Sequence, residues 1–259
     1  MSQLLQLNQV TIRFGGLTAV SEVDLHVGPR ELVGLIGPNG AGKTTLFNLI
    51  TGVYQPTSGA IHFDGRPTAK LKPHQLVRRG IARTFQNIRL FASMTVFDNV
   101  RTAVQVHRAH GIRDALIRGG KFRRAEADVE QQVMELLAIF HLDQLRHEPA
   151  RGLPYGDQRR LEIVRALATQ PRLLLLDEPA AGMNPTEKSE LTELIRFIKE
   201  KFQIAVLLVE HDMRVVMGIC ERIVVLDYGV KIAEGTPAEV RANARVVEAY
   251  LGEEAVKHA

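Results

Sequence analysis

Gly37-Pro38-Asn39-Gly40-Ala41-Gly42-Lys43-Thr44-Thr45 decides the reading of this chain, together with its flanks. The run fits the pattern G-x-x-x-x-G-K-[ST]. Before it, Leu32-Val33-Gly34-Leu35-Ile36 reads as a short strand buried on both faces. After it, Thr45 to Ile50 reads as a helix ended by Gly52. Strand, glycine turn and helix build a cradle of backbone N–H groups at the positive end of a helix, which binds phosphate. In such a loop the lysine reaches the β- and γ-phosphates and the hydroxyl next to it ligates Mg²⁺. Those roles fall to Lys43 and Thr44. The sequence predicts binding of a nucleoside triphosphate.

Bulk properties narrow the setting. A chain of 259 residues, 45% hydrophobic and 24% charged, has the composition of a soluble globular protein with a large core. No apolar run approaches the roughly 18 residues that a membrane-spanning helix needs. Met1-Ser2-Gln3-Leu4 has neither a basic n-region nor an apolar h-region, so no secretory signal is expected. Cys220 is the only cysteine, which excludes an internal disulfide and a cysteine-based zinc site. A net charge of +4 raises the question of nucleic acid. The basic residues cluster at Arg108, Arg113, Arg118, Lys121, Arg123 and Arg124, without interleaved aromatics. That pattern suits a solvated loop, or contact with anionic lipid headgroups, better than a stacking platform. No nucleic-acid partner is expected.

The chain is organised as α/β. Leu5 onward and Val23 to Val27 alternate as antiparallel strands, continued by a hairpin arm at Ile61 to Gly65. Ile81 to Gln86 reads as a strand entering a loop. From Asn87 to Arg160 the character turns helical and charged, with Val129, Val133, Leu136, Leu137 and Phe140 on one face. His107 to Lys121, with Gly111, Gly119 and Gly120, reads as an irregular connection. Leu173 to Leu176 and Ile204 to Val209 are continuous apolar strands, joined by a crossover helix marked by Leu191, Leu194, Ile195 and Ile198. Ile223 to Leu226 adds a strand, and Thr236-Pro237-Ala238-Glu239 opens a capped helix.

Carboxylates stand at the C-terminal ends of two of these strands, where open α/β sheets bind ligands. Asp177 suits a Walker-B role toward Mg²⁺, and Glu178 is a candidate to polarise the attacking water. Val209-Glu210-His211-Asp212 ends the next strand, and His211 is a candidate donor to the γ-phosphate.

These motifs together resemble the ABC-type ATPases over nearly the whole chain, from Leu4 to Gly252. Thr84-Phe85-Gln86 is similar to their Q-loop. Leu153-Pro154-Tyr155-Gly156-Asp157 lies where their L-S-G-G-Q signature falls. Asp177-Glu178-Pro179 and His211 follow in the family's order. The resemblance implies a P-loop fold with a RecA-like parallel core and an antiparallel β-subdomain, spanning 1–86 and 161–252. It implies an inserted helical subdomain over 87–160 and a C-terminal tail over 253–259. It also implies that Glu178, His211 and Gln86 act in hydrolysis, and that Thr44, Gln86 and Asp177 hold Mg²⁺. Gly37, Pro38, Asn39, Gly40, Ala41, Gly42, Lys43, Thr44 and Thr45 would bind ATP, with Phe14 stacking on adenine. Family members pair head to tail, each ATP lying between one subunit's phosphate loop and the other's signature.

Two positions depart from the family pattern. Pro154 stands where a serine hydroxyl normally meets the γ-phosphate, and it supplies neither hydroxyl nor N–H, although proline suits a helix's first turn. Asn184 replaces the usual D-loop aspartate, which puts the family's contact near the dimer axis in question.

Within the family, Pro179 to Pro185, Glu210-His211-Asp212-Met213 and the ending Val247 to Gly252 resemble the ATP-binding subunits of branched-chain amino-acid importers, the LivG type. The implied partners are a second ATPase subunit, two permeases and, indirectly, an extracytoplasmic solute-binding protein. The implied location is the cytoplasmic face of the membrane. The permease surface would be the Q-loop with Asn87 to Phe97, where Leu90, Phe91, Met94 and Phe97 are apolar. Importers of urea or short amides and a lipopolysaccharide exporter are the nearest alternatives. A soluble ABC ATPase of DNA maintenance predicts a long coiled coil or a second cassette, and the sequence has neither.

Overall fold

The computed structural model describes residues 3–107 and 120–257, apart from the side chains of 120–123 and 251–257. The elements begin with β1 (Leu5–Phe14), β2 (Leu17–Val27), β3 (Leu32–Ile36), α1 (Lys43–Ile50), β4 (Ser58–Phe63), β5 (Arg66–Pro67) and α2 (Pro73–Arg79). Next come β6 (Ile81–Arg83), α3 (Val96–Val104), α4 (Gly120–Ile139) and α5 (Tyr155–Leu167). The chain then forms β7 (Leu173–Asp177), α6 (Pro185–Phe202), β8 (Ala205–Val209), α7 (Met213–Ile219), β9 (Arg222–Asp227), β10 (Val230–Gly235), α8 (Pro237–Ala242) and α9 (Ala244–Lys257). Contacts divide it into two compact units, Met1–Leu76 with Arg172–Ala259, and Val77–Pro171.

The first unit holds two sheets. One is antiparallel, in the order β2-β1-β4-β5. Its leading hairpin is longer than the alternation suggested, because β2 starts at Leu17, whose side chain is exposed and so gives no core signal. The second sheet runs β10-β9-β3-β8-β7 in this unit, with β9, β3, β8 and β7 parallel. Every residue of β3, β7 and β8 is buried, which is why these strands read as unbroken apolar runs. Each buried Leu, Val or Ile contributes about 1.5–3 kcal/mol. The crossover helix α6 buries Leu191, Ile195 and Ile198 and leaves Leu194 half-buried. At its far side the sheet ends in the hairpin β9–β10, whose turn is Tyr228-Gly229.

The parallel register aligns the strand ends that matter. Val209 at the end of β8 faces Leu35 of β3 on one side and Asp177 of β7 on the other. Adjacent strands lie about 4.8 Å apart. The end of β3 and the end of β7 are therefore about 10 Å apart across one edge of the sheet.

In the second unit α3 packs on both α4 and α5. Val129, Val133, Leu137 and Phe140 are buried, and Leu136 is half-buried, as the periodicity predicts. One expectation changes. Gly120 and Lys121 lie in α4 instead of belonging to a loop. Arg108, Arg113 and Arg118, with Gly111 and Gly119, lie outside the described residues. Thr95 caps α3 by accepting from Asp98 N. Asn99, fully buried, staples the preceding turn: it accepts from Phe91 N at 2.9 Å and donates to Phe91 O at 3.1 Å and Thr95 O at 2.9 Å.

Candidate functional site

The phosphate loop follows β3 and enters α1, as the motif requires. Gly37 and Gly42 have φ of 150° and 98°. A Cβ at Gly37 would lie 2.0 Å from Leu226 O, and one at Gly42 2.7 Å from Ala19 O. Only glycine fits both the backbone conformation and the space there. Gly42 N-caps α1 without a side-chain bond, and the first turn has no acidic residue. The positive end of this helix is thus left to an external anion. Lys43 is 6% exposed, and its ammonium donates to Gly37 O at 2.7 Å and Pro38 O at 2.8 Å. Its charge is fixed inside the turn of the loop. Asn39, Gly40 and Thr44 are exposed, Pro38 and Ala41 are buried, and Thr45 is half-buried.

Asp177 closes β7 and is buried. Glu178 extends the ladder by one bond, its N–H donating to Val209 O at 2.9 Å, and then takes φ of 47°. A left-handed non-glycine residue costs on the order of 1–3 kcal/mol, and such strain collects at functional sites. The turn aims its carboxylate at His211, whose Nε2 lies 2.6 Å from Glu178 Oε1. An ionised carboxylate has no proton to give, so Nε2 donates. Two side chains remote in sequence, both picked out as candidates, therefore meet at adjacent strand ends.

The residue that braces this pair escaped the sequence reading. Glu210 is buried and accepts from Ala180 N at 2.7 Å, His211 N at 3.0 Å and Asp212 N at 3.4 Å. It ties the segment after Glu178 to the segment carrying His211. Burial pushes its carboxyl above the ordinary range, the three backbone donors work against that shift, and the charge of Glu178 adds to it. Asp212 caps α7 through Arg214 N and pairs with Lys188 Nζ of α6 at 2.8 Å. The bond from Lys188 holds the Asp212 carboxyl below its usual value. An acid following an all-apolar strand was the available signal for Glu210.

Phe14 is about half exposed, and Tyr54 lies edge-on to it with centroids 5.2 Å apart at 72°. Tyr54 was not anticipated, since it falls in the loop after α1.

These features characterise a nucleotide-binding P-loop unit, and the ABC transporter family profile matches residues 20–181. The chain belongs to the ABC transporter family. It is 47% identical over 254 residues to the high-affinity branched-chain amino acid transport ATP-binding protein LivG of Escherichia coli K12, covering 98% of this chain and 100% of that protein. It is 45% identical over 250 residues to BraF of Pseudomonas aeruginosa, a protein of the same description, covering 96% and 98% of the two chains. Among solved structures, it is similar to an ATP-binding cassette of an ABC transporter in its ADP conformation, with TM-score 0.84, 30% identity and coverage of 98% and 100%. As a family member it is an ATPase whose hydrolysis is coupled to transport.

The second unit carries the remaining candidates. Gln86 is exposed and its backbone carbonyl accepts from Arg159. In the signature, Leu153 is buried, Tyr155 is exposed, Gly156 is half-buried, and Asp157 pairs with Arg160 at 3.6 Å. Pro154 is the N-cap of α5, one residue earlier than the first turn expected for it, and it offers no side-chain cap. Asn184, in the first unit, is the N-cap of α6 and forms a capping box with Glu187.

Proposed function

We propose that this chain powers an importer of branched-chain amino acids from the cytoplasmic face of the membrane. The observation that carries the reading is a profile described as branched-chain amino acid ATP-binding cassette transporter, which matches residues 230–256. Those residues cover β10, α8 and most of α9. The full-length likeness to LivG and BraF supports it. A lipopolysaccharide export ATP-binding protein of Escherichia coli K12 is more distant, at 35% identity over 241 residues.

In this reading the loop Gly37 to Thr45 holds the ATP phosphates and Lys43 neutralises them. Thr44 and Asp177 are hard oxygen donors suited to Mg²⁺, which takes few protein ligands and completes its shell with phosphate and water. Bound there, the ion would neutralise phosphate charge. Glu178 orients and deprotonates the attacking water. His211, donating toward Glu178 in the present geometry, turns that same N–H toward the γ-phosphate. The resemblance to the family's Q-loop assigns Gln86 to the Mg²⁺ and the attacking water. Phe14, braced by Tyr54, offers its ring to the adenine. Leu153, Pro154, Tyr155, Gly156 and Asp157 complete the ATP site of a second ATPase subunit.

Two permeases bind the segment after the Q-loop, where Phe91 and Met94 are exposed, and a solute-binding protein acts through them. The test is reconstitution with the cognate permeases in lipid vesicles. ATP turnover should rise when binding protein loaded with leucine, isoleucine or valine is supplied, and should not respond to urea or short amides. Turnover indifferent to the branched-chain amino acids would overturn the substrate assignment.

A further inference from the structure

The second unit contains a buried charged cluster that the motif reading does not use. Arg159 is 1% exposed, among the largest fully buried side chains of the chain. From α5 its Nη1 donates to Phe85 O at 2.7 Å and to Glu162 Oε2 at 2.8 Å. Its Nη2 donates to Gln86 O at 2.9 Å and to Tyr155 Oη at 3.2 Å. Glu162, 4% exposed, accepts on its other oxygen from Phe85 N at 3.4 Å and Arg89 N at 3.1 Å. The pair therefore grips the backbone on both sides of Gln86 and holds the Tyr155 hydroxyl of the signature.

A buried ion pair is an uneconomical core filler. Well-packed apolar residues of similar volume are often as stable or more so. What this pair supplies is geometry: a planar fork that fixes two consecutive carbonyls and one carboxylate at once. A lysine has a single compact head and cannot hold all three in that arrangement.

We propose that Arg159, held by Glu162, is a positioning residue that locks the Q-loop backbone at Phe85-Gln86 to the signature helix, so that both shift as one body. The inference rests on the ATPase reading, in which Gln86 serves one ATP site and the signature serves the partner subunit's. A rigid link makes the two contributions arrive together. Without it each ATP still binds, but the hydrolytic arrangement at the two sites is no longer concerted.

The test uses the reconstituted complex with Arg159→Met, which keeps the packing volume, and Arg159→Lys, which keeps the charge. Misplacing a positioning contact costs on the order of ten- to a hundredfold in rate. We expect kcat to fall by that range in Arg159→Met and by less in Arg159→Lys. KM for ATP and the affinity of the isolated subunit for a fluorescent ATP analogue should stay within about twofold, the signature of an interaction that matters in the transition state. Thermal melting reports folding, and if Arg159→Met does not fold, Arg159→Lys and Glu162→Gln decide. Variants with wild-type kcat would overturn the proposal. So would a parallel loss of nucleotide affinity and melting temperature, which marks a purely structural role. A wild-type complex without ATPase activity would instead sink the functional reading itself.

Discussion

The two units are built on opposite principles. In the first, the site grows from backbone: a glycine loop, a helix N-terminus and the ends of parallel strands. Its side chains stand at the loop and strand ends that carry them, with Lys43 folded onto its own loop and His211 against Glu178 of the neighbouring strand end. In the second, backbone segments are held by buried polar side chains, Arg159 and Glu162 gripping the Q-loop and Asn99 stapling the turn after it. The contrast teaches where function is robust. A backbone cradle tolerates most substitutions around it, whereas a side-chain clamp fails when one partner is changed.

The sharpest way to break this comparison is at Glu178, the base proposed for the first unit. Glu178→Gln keeps the shape of the residue and removes the proposed base. A positioned base contributes about 10²–10⁴-fold, so steady-state ATP turnover of the assembled complex should fall by that factor while nucleotide affinity persists. Turnover within tenfold of wild type would mean that another group activates the water.

Pro154→Ser tests the signature of the second unit. One preorganised donor to a developing charge is worth about 2.7–4 kcal/mol, or about 10²–10³-fold in rate, so turnover at the partner's site should rise by as much as about 10³-fold. The serine would also cap α5, which starts without a side-chain cap, and should add about 1 kcal/mol of stability. Turnover and denaturation midpoint separate the two effects. A more stable variant with unchanged turnover would confine the serine to capping.

What could be read beforehand follows the same divide. The strands Leu173 to Leu176 and Ile204 to Val209, the glycine loop and the acids at strand ends are contiguous signals, so core and cradle were legible. Glu210 and Arg159 act on backbone groups far away in sequence, and nothing local states which carbonyl or N–H they will meet. Arg159 and Glu162 did leave a trace: two opposite charges three apart on a helix face shared with Ile163 and Ala166. Other omissions were local. Thr95 and Asp98 spell a helix start, and Tyr228-Gly229 spells the turn into β10.

Glu210 probes a clamp inside the backbone-built unit. Glu210→Ala leaves the N–H groups of Ala180, His211 and Asp212 without their carboxylate. Each buried unsatisfied donor costs about 1–3 kcal/mol, so a loss on the order of 3 kcal/mol is expected in urea denaturation. Glu210→Gln separates charge from shape. Burial raises the Glu210 carboxyl above 4.5, so the folded chain holds that proton more tightly than the unfolded chain. This contribution is fully present below pH 4.5 and disappears as pH rises through the folded value. Wild type should therefore lose stability relative to Glu210→Gln as pH climbs out of the acid range. Parallel pH curves would remove the assigned cause.

The smallest effect is expected at Asn184, and it sharpens the comparison most finely. The side chain departs from the family's aspartate, yet it is committed to α6: Oδ1 accepts from Glu187 N at 3.0 Å, and Glu187 Oε2 accepts from Asn184 N at 2.8 Å. Asparagine and aspartate cap helices about equally well. Aspartate adds a favourable charge at the helix N-terminus of about 0.3–1 kcal/mol, offset by repulsion from Glu187 close by. Asn184→Asp should thus move the denaturation midpoint by no more than a few tenths of a kcal/mol. Any effect on turnover would then report the charge alone, because the cap geometry is shared. A large loss of stability would show that the amide N–H₂ is bonded in a way aspartate cannot reproduce. A change in turnover at constant stability would place the functional weight of this position in its missing charge, making it, beside Glu210, a second side-chain device in the backbone-built unit.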